Sequence, residues 1–505
     1  MGSPLTFWKL QQAPALWILD RVGHGSWVDD PIPNQAQLLP IIRIGGLWIW
    51  VAALLITADW SRRLYGPRAM ALASVIFALS PNLLAHGALS TMELPATASI
   101  LGMAYGFWWF LRSGRSWILW ATGAVGGLAF SCKFTTILIP PILSLLWAVD
   151  LIKNRPESER SVRTILRMAR TIIPGMIGFG LAMAVSNLLI TGFASITPSA
   201  NHGVHPIIEG KFPPSIHRWI SGLFESPLPS DWVAFATQMI YQRNGGPSYL
   251  LGERRMSGWV YYYPLTLAVK VPLAFWILVA GRIKMAVRGD RDWMLAAFII
   301  AFLLAAMLGS KRNYGIRYLL PVAPIAIIWV SAVAEGCRKF RWFAAIGLVG
   351  MATSVAGIHP HELTYFNEAA GGPIGGRRIL SDSNLDWGQG AKDLAKLQKN
   401  HPEFADLTLF YFGDTDPAYY KVQGRRFVFD ANQTPVGLPD KLSVATKYLA
   451  VSASLQWGPW GPPGYFRALN TIRPIRFTDD TTIALYRTSE LDSLLHPTKR
   501  DPGRE

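Results

Sequence analysis

Residues 84–96 read LAHGALSTMELPA and set His86 and Glu93 between two strongly apolar runs. A carboxylate there is costly unless partnered or used, so a charge at the edge of an apolar span is a functional suspect by default. Cations recur in comparable settings. Lys133 lies in LAFSCKFTTILIPPI, Arg254 and Lys270 in YLLGERRMSGWVYYYPLTLAVKVP, and Lys311, Arg312 and Arg317 flank Tyr314 in GSKRNYGIRYLLP. Guanidinium forks suit phosphate oxygens. A carboxylate beside them suits a general base or a group that orients the reacting centre. One acid near several cations in a tyrosine-rich setting suggests chemistry on a lipid-linked phosphosugar, the cations stabilising the departing phosphate as its charge develops.

Each residue also has a plainer reading. Lys133 snorkels at a span end, and a tilted helix brings Lys270 near the interface. His86 caps a helix or sits at the interface, and Arg254 is a solvated loop charge. The KRNYGIR run resists such treatment, because its three cations precede an apolar span on the side that the other basic residues avoid.

The elements that must position these residues form a membrane bundle. Of 505 residues, 51% are hydrophobic and 16% charged, against about 25% charged in a soluble domain. That composition excludes both a soluble enzyme and a single anchor. About ten runs reach span length, near 39–59, 69–87, 94–111, 116–132, 134–152, 171–193, 260–281, 292–309, 318–335 and 341–358. The fourth is short and glycine-rich, which leaves its boundaries least defined. The net charge of +16 is explained by where the charges fall rather than by a nucleic-acid partner. Arg62, Arg63 and Arg68, then Arg112 and Arg115, then Lys153 to Arg170, then Arg282 to Arg291, then Arg338 to Arg341 occupy alternate loops. This is the positive-inside pattern; it makes those loops cytoplasmic and puts Glu93 on the outer face. Cys132 and Cys337 then fall on opposite faces, and no disulfide framework exists.

The expected fold is a polytopic α-helical membrane protein of about ten spans with a small C-terminal α/β domain outside the membrane. Residues 1–38 enter the first span from outside without a signal peptide. They are expected to be the remnant of a first outer loop whose preceding span lies upstream. The membrane domain covers 39–358 and carries the outer loop 194–259. Residues 359–490 change character, with the β-type runs DLTLFYFG, KYLAVSASL and TTIALYR and a helical run GQGAKDLAKLQKN. Residues 491–505 read as a disordered tail.

Several stretches in order resemble the GT-C glycosyltransferases, specifically the bacterial branch akin to dolichyl-phosphate-mannose–protein mannosyltransferases. They are SPNLLAHGALSTMELP, LAFSCKFTTILIPPI, YLLGERRMSGWVYYYPLTLAVKVP, KRNYGIRYLLPVAP, HPHELTYFNEAAGGP, SDSNLDWGQGAKDLAKL and FYFGDTDPAYY. The resemblance implies inverting transfer of a sugar, with mannose the suggested one, from a polyprenyl-phosphate donor at the outer face of the cell membrane. The acceptor is a protein, lipid or glycan. The family's TTDLP-like acid corresponds to Glu93, which keeps the charge on a longer side chain. The KRNYGIRYLLP segment resembles the family's phosphate-side element and implies roles for Arg317, Lys311 and Arg312. Asp386 and Trp387 in SNLDWGQ read as structural. The family's first outer loop carries a further acid pair that residues 1–38 lack; Asp29 and Asp30 in SWVDDPIP are the candidate substitutes.

The expected site is therefore Glu93 as catalytic acid, with His86, Lys133, Arg254, Lys270, Lys311, Arg312, Tyr314 and Arg317 binding substrate. No metal is assigned: His86, His202, His205 and His217 show no metal-ligand spacing. The lipid-linked sugar enters as substrate, and no other cofactor is expected. Two alternatives stand beside the enzyme. One is an inactive relative that binds a polyprenyl lipid or scaffolds membrane proteins. The other is a secondary transporter, which the lack of a repeated half disfavours.

Overall fold

The computed structural model describes residues 6–154, 162–197, 227–285, 289–309, 311–429, 442 and 444–495. The chain divides into two compact units. One comprises Met1–Asn244, Ala274–Ser310 and Tyr318–Thr353; the other Gly245–Leu273, Lys311–Arg317 and Ser354–Glu505.

Each of the ten apolar runs lies on a helix or on consecutive helices. Gln35–Tyr65, Glu93–Ser113, Phe134–Lys153 and Met168–Ile190 are long and apolar enough to cross a membrane. The bent pairs Pro67–Ala78 with Pro81–Ala88 and Tyr262–Lys270 with Leu273–Ile283 bring that number to as many as six among the described residues. Ser116–Phe130, Trp293–Gly309 and Leu320–Glu335 are shorter apolar segments, and Arg338–Ala356 follows them. Both breaks have a local cause. Pro81 and Pro272 each lack the amide that would continue the helix, and each opens the segment after it.

In the first unit, the glycine-rich helix Ser116–Phe130 packs backbone to backbone against the helix Val162–Ile190. A Cβ on Gly123 would stand 2.3 Å from the Phe179 carbonyl oxygen, and one on Gly127 would stand 2.4 Å from that of Met183. Small residues permit this close approach between apolar helices.

The ends of the helices sort as the charge alternation requires. Glu335 accepts the Arg68 and Ala69 amides at 2.8 and 3.2 Å, binding the positive end of the helix Pro67–Ala78. Arg291 pairs with Asp150 at 2.7 Å, Arg282 with Asp292 at 2.6 Å and Arg112 with Asp290 at 4.0 Å. The Arg282 guanidinium also lies 5.8 Å from the centre of the Tyr65 ring. These contacts join the loops after the first, third, fifth, seventh and ninth runs, which are the five basic ones. The alternate turns join one another in the same way. Asp231 accepts from Ser131 at 2.8 Å and from Asn187 at 2.9 Å, and Phe7 donates its amide to the Ser131 carbonyl at 3.3 Å. The short helices Thr6–Leu10, Ala13–Leu19 and Gly25–Asp29 precede the first long helix, and the Gln12 amide bonds Ser90 in the turn before Glu93.

The second unit contains a five-stranded mixed sheet. Its spatial order is Arg425–Phe429, Leu407–Phe412, Tyr448–Ser452, Ile483–Arg487 and Arg476–Phe477; the first three are parallel and the last two antiparallel to their neighbours. Side chains alternate across it. Leu407, Leu409 and Tyr411 pack with Leu394 and Leu397 of the amphipathic helix Gly390–Asn400, while Phe410 and Phe412 pack with Val451, Leu455 and Phe466. Three strands and this helix fall on the runs expected from sequence; Arg425–Phe429 and Arg476–Phe477 complete the sheet. The helix Thr488–Leu495 closes the described chain. Residues 491–495, expected to begin a disordered tail, instead finish this helix; residues 496–505, and residues 198–226 with His202, His205 and His217, lie outside the described residues.

Candidate active site

In the first unit the site is built on Glu93. After the turn 89–92, Glu93 opens the helix Glu93–Ser113, where the unpaired amides of the first turn favour negative charge. Lys133 stands in the turn that separates Ser116–Phe130 from Phe134–Leu138. Its ammonium lies 3.7 Å from the Glu93 carboxylate, with side-chain exposures of only 8% and 3%. It also lies 4.1 Å from the centre of the Tyr318 ring, a cation–π contact. Lys133 therefore does more than snorkel: it pairs with the one acid of the constellation. His86 is buried on the same face of the helix Pro81–Ala88 as Asn82, four residues earlier.

The turn holding Lys133 is itself fixed from below. Ser131 and Asn187 both donate to one oxygen of Asp231, and Asn187 also donates to Ser131 at 2.7 Å. All three are essentially unexposed. Asp231 has no ion-pair partner among the described residues, so these hydrogen bonds carry its burial. Asp29 and Asp30 are exposed at the end of Gly25–Asp29. The Asp30 carbonyl accepts from Asn34 at 2.8 Å, as in a turn.

In the second unit the cations centre on the turn 311–317. Arg317 stacks on two aromatic rings, 5.1 Å from the centre of Trp387 and 5.5 Å from that of Tyr314, and its Nε donates to the Tyr314 carbonyl at 3.1 Å. Arg312 donates to the Gly245 carbonyl at 2.5 Å and to the Tyr314 hydroxyl at 2.9 Å. Lys311 is exposed. The turn needs glycine at position 315, where φ is 81° and a Cβ would meet the Asn384 carboxamide at 2.6 Å.

Arg254 and Lys270 belong to the same unit but are held differently. Arg254, opposite Tyr249 in the hairpin Ser248–Leu250 and Glu253–Arg255, reaches the Leu455 carbonyl at 3.4 Å. It is half-buried rather than a solvated loop charge. Lys270 is almost wholly buried; it donates to the Asn384 carbonyl at 2.7 Å and the Leu363 carbonyl at 3.1 Å, and lies 4.4 Å from the centre of the Phe366 ring.

Sequence reasoning passed over the residues that support these cations. Ser383 donates to the Tyr314 carbonyl at 2.8 Å, and Asn384 accepts the Ile316 amide at 3.0 Å. Trp387, read as structural, supplies the face on which Arg317 lies. Asp386 keeps the structural role: its two oxygens accept the Gly388 and Ser454 amides at 3.0 and 3.2 Å. Burial pushes its carboxyl up to about 7, against the pull of those two amides. The SNLDWGQ motif was the available signal for all four residues. Among the described residues, no three His, Cys, Asp or Glu side chains are grouped to hold a metal.

Of this pair, the resemblance implied a role for Glu93 alone; the structure adds Lys133 as its buried partner. Residues 38–165 match the dolichyl-phosphate-mannose-protein mannosyltransferase family model. The mannosyltransferase match contains His86, Glu93 and Lys133 and ends before Arg254, Lys270 and the 311–317 turn. Among solved structures, the chain is similar at 12% identity and a TM-score of 0.41 to ArnT from Cupriavidus metallidurans bound to undecaprenyl phosphate, covering 88% of this chain and 84% of that one. It is also similar, at 12% identity and a TM-score of 0.37, to the archaeal oligosaccharyltransferase AglB from Archaeoglobus fulgidus in complex with an inhibitory peptide and a dolichol-phosphate, covering 82% of this chain and 59% of that one. No curated protein matches the chain.

Proposed function

We propose that this protein is a membrane glycosyltransferase that moves a sugar from a polyprenyl-phosphate-linked donor to an acceptor hydroxyl at the outer face of the cell membrane. Mannose is the first sugar to test, and the acceptor is a protein, lipid or glycan. The observation that carries the reading is the buried Glu93–Lys133 pair within the mannosyltransferase-like stretch. A charge pair taken out of water at this cost is more readily kept for chemistry than for stability alone.

In the proposed step the acceptor oxygen attacks the anomeric carbon from the face opposite the phosphate, inverting the centre. The carbon–oxygen bond to phosphate breaks, and its electron pair leaves with the polyprenyl phosphate. The acceptor proton passes to the Glu93 carboxylate, which Lys133 holds in place. Arg317, fixed in orientation by its two aromatic neighbours, binds the phosphate as charge accumulates on it, with Arg312 supporting Tyr314 beside it. Lys270, already bonded to two carbonyls, is left out of the phosphate-binding set. The basic loops are assigned to the cytoplasm and the sheet-containing unit to the opposite side.

The deciding experiment is a transfer assay with a polyprenyl-phosphate sugar and the purified full chain. Glu93→Gln is expected to abolish turnover while leaving donor binding, and Arg317→Ala to weaken donor binding. Wild-type rates in both variants would remove the assignment. Binding of the lipid without any transfer by the unaltered protein would favour the inactive, lipid-binding alternative.

A further inference from the structure

Lys270 poses a problem that the proposed reaction leaves open: an ammonium lies deep in an apolar segment and is bonded to main-chain carbonyls. Its stronger acceptor is the carbonyl of Asn384, at 2.7 Å. The Asn384 side chain in turn connects three elements. Its carboxamide oxygen accepts the Ile316 amide at 3.0 Å, and its nitrogen donates to the Tyr262 hydroxyl at 3.0 Å and to the Ser381 carbonyl at 3.1 Å. One residue earlier, the Ser383 hydroxyl donates to the Tyr314 carbonyl at 2.8 Å. That same carbonyl accepts from Arg317 Nε at 3.1 Å.

The loop 381–387 grips the backbone of the 314–317 turn at both of its ends and contributes Trp387 as the surface under the guanidinium. The loop is anchored at the opposite margin, where Asp386 accepts the Ser454 amide at the carboxyl end of the strand Tyr448–Ser452. Loops at the carboxyl ends of parallel strands are where open α/β sheets place ligands. In this protein that position holds a segment of the chain's own loop.

We propose that Asn384, with Lys270 behind it, is a positioning residue for Arg317: the sheet-containing unit serves to hold the guanidinium in its phosphate-binding orientation, and Lys270 acts through Asn384 without touching substrate. This rests on the reading of Arg317 as the donor-phosphate ligand. Replacing Asn384 leaves Arg317 present and charged but removes the side-chain bond that holds the Ile316 amide of the turn.

The test is a double-mutant cycle on the full chain in lipid nanodiscs, with undecaprenyl phosphate as the probe. Arg317→Ala and Asn384→Leu are each expected to weaken binding about tenfold, and the double variant to bind no more weakly than Arg317→Ala alone. The milder Ser383→Ala, which deletes one bond to the turn, is expected to show the same non-additivity. It serves as the test if Asn384→Leu does not fold. Donor KM should rise in both positioning variants, and kcat at saturating donor should fall as well, because the displaced guanidinium is the one that meets the charge accumulating on the phosphate. Losses that add to that of Arg317→Ala, or wild-type binding in Asn384→Leu and Ser383→Ala, would overturn the inference while leaving the function intact. Wild-type binding in Arg317→Ala would overturn the assignment of Arg317 itself.

Discussion

The Lys133 ammonium stands 3.7 Å from the Glu93 carboxylate and 4.1 Å from the centre of the Tyr318 ring, with all three groups in one compact unit. Lys133 is thus committed on two sides, to the acid at the head of one helix and to the aromatic residue that follows Arg317 in sequence.

Removing one member of such a pair leaves the other charged and buried. Lys133→Met is expected to cost about 3–5 kcal/mol of stability. Glu93→Gln combined with Lys133→Met should regain most of that loss, because neither charge is then stranded. Unfolding midpoints of the wild type and these two variants in detergent check this. If the double variant proves no more stable than Lys133→Met alone, the pair is not coupled as described.

Asp231 supports the Lys133 turn through Ser131. Asp231→Ala removes the acceptor of the buried Ser131 hydroxyl and one of the two acceptors of the Asn187 amide, at about 1–3 kcal/mol for each bond lost. Ser131→Ala leaves the Asn187–Asp231 bond in place and should cost less. The expected order of unfolding temperature is wild type, Ser131→Ala, Asp231→Ala. Transfer rate should fall further in Asp231→Ala than in a variant of equal stability made elsewhere in the bundle.

The sheet-containing unit should lose stability as pH rises through the weakly acidic range. Asp386 titrates up to about 7 in the fold, against 3.8 in an unfolded chain. Between those values the unfolded chain has released a proton that the folded one keeps, so stability is greatest near pH 4, declines toward pH 7 and is level above it. The full effect is about 4 kcal/mol at most. Hydrogen exchange at the strand Leu407–Phe412, followed from pH 5 to 8, reads it out. Asp386→Asn should flatten the slope, and an unchanged slope would assign the pH dependence to another group.

Gly123 tests the packing of the bundle. A Cβ there meets the Phe179 carbonyl at 2.3 Å, so Gly123→Ala must push two helices apart, at about 1–3 kcal/mol. Gly180, with no neighbour near its missing side chain, is the control, and Gly180→Ala should leave the unfolding temperature near or above that of wild type.

Much of this architecture was legible in the sequence because it rests on local periodicity and charge. The ten apolar runs and the amphipathic Gly390–Asn400 announce themselves within a few turns. The basic loops predicted their own company, and the structure joins them through Glu335, Asp150, Asp290 and Arg282. Glu93 was legible because a carboxylate is conspicuous in such a stretch. Asn384 was not: its value lies in hydrogen bonds to Ile316 and Tyr262, which no spacing rule connects to it, and an asparagine in a polar motif attracts no notice. Nor does any spacing rule connect Lys270 to the Leu363 and Asn384 carbonyls, to which its ammonium donates. Asp231 escaped because it lies within the expected outer loop 194–259, where acids are ordinary.

The unit that holds Arg317 is assembled from three separate pieces of chain, Gly245–Leu273, Lys311–Arg317 and Ser354–Glu505. This has a consequence for biogenesis. A ribosome delivers the 311–317 turn well before the loop 381–387 that grips it, and before the strand that anchors that loop. Each membrane helix will already have been synthesised while the turn still lacks its hydrogen-bond partners. If Arg317 binds the donor phosphate as proposed, that competence comes late in maturation and depends on residues 354–505, a separation of the kind that makes folding slow. Nascent chains stalled before residue 381 would carry Lys311, Arg312 and Arg317 without the bonds from Ser383 and Asn384 that hold the turn.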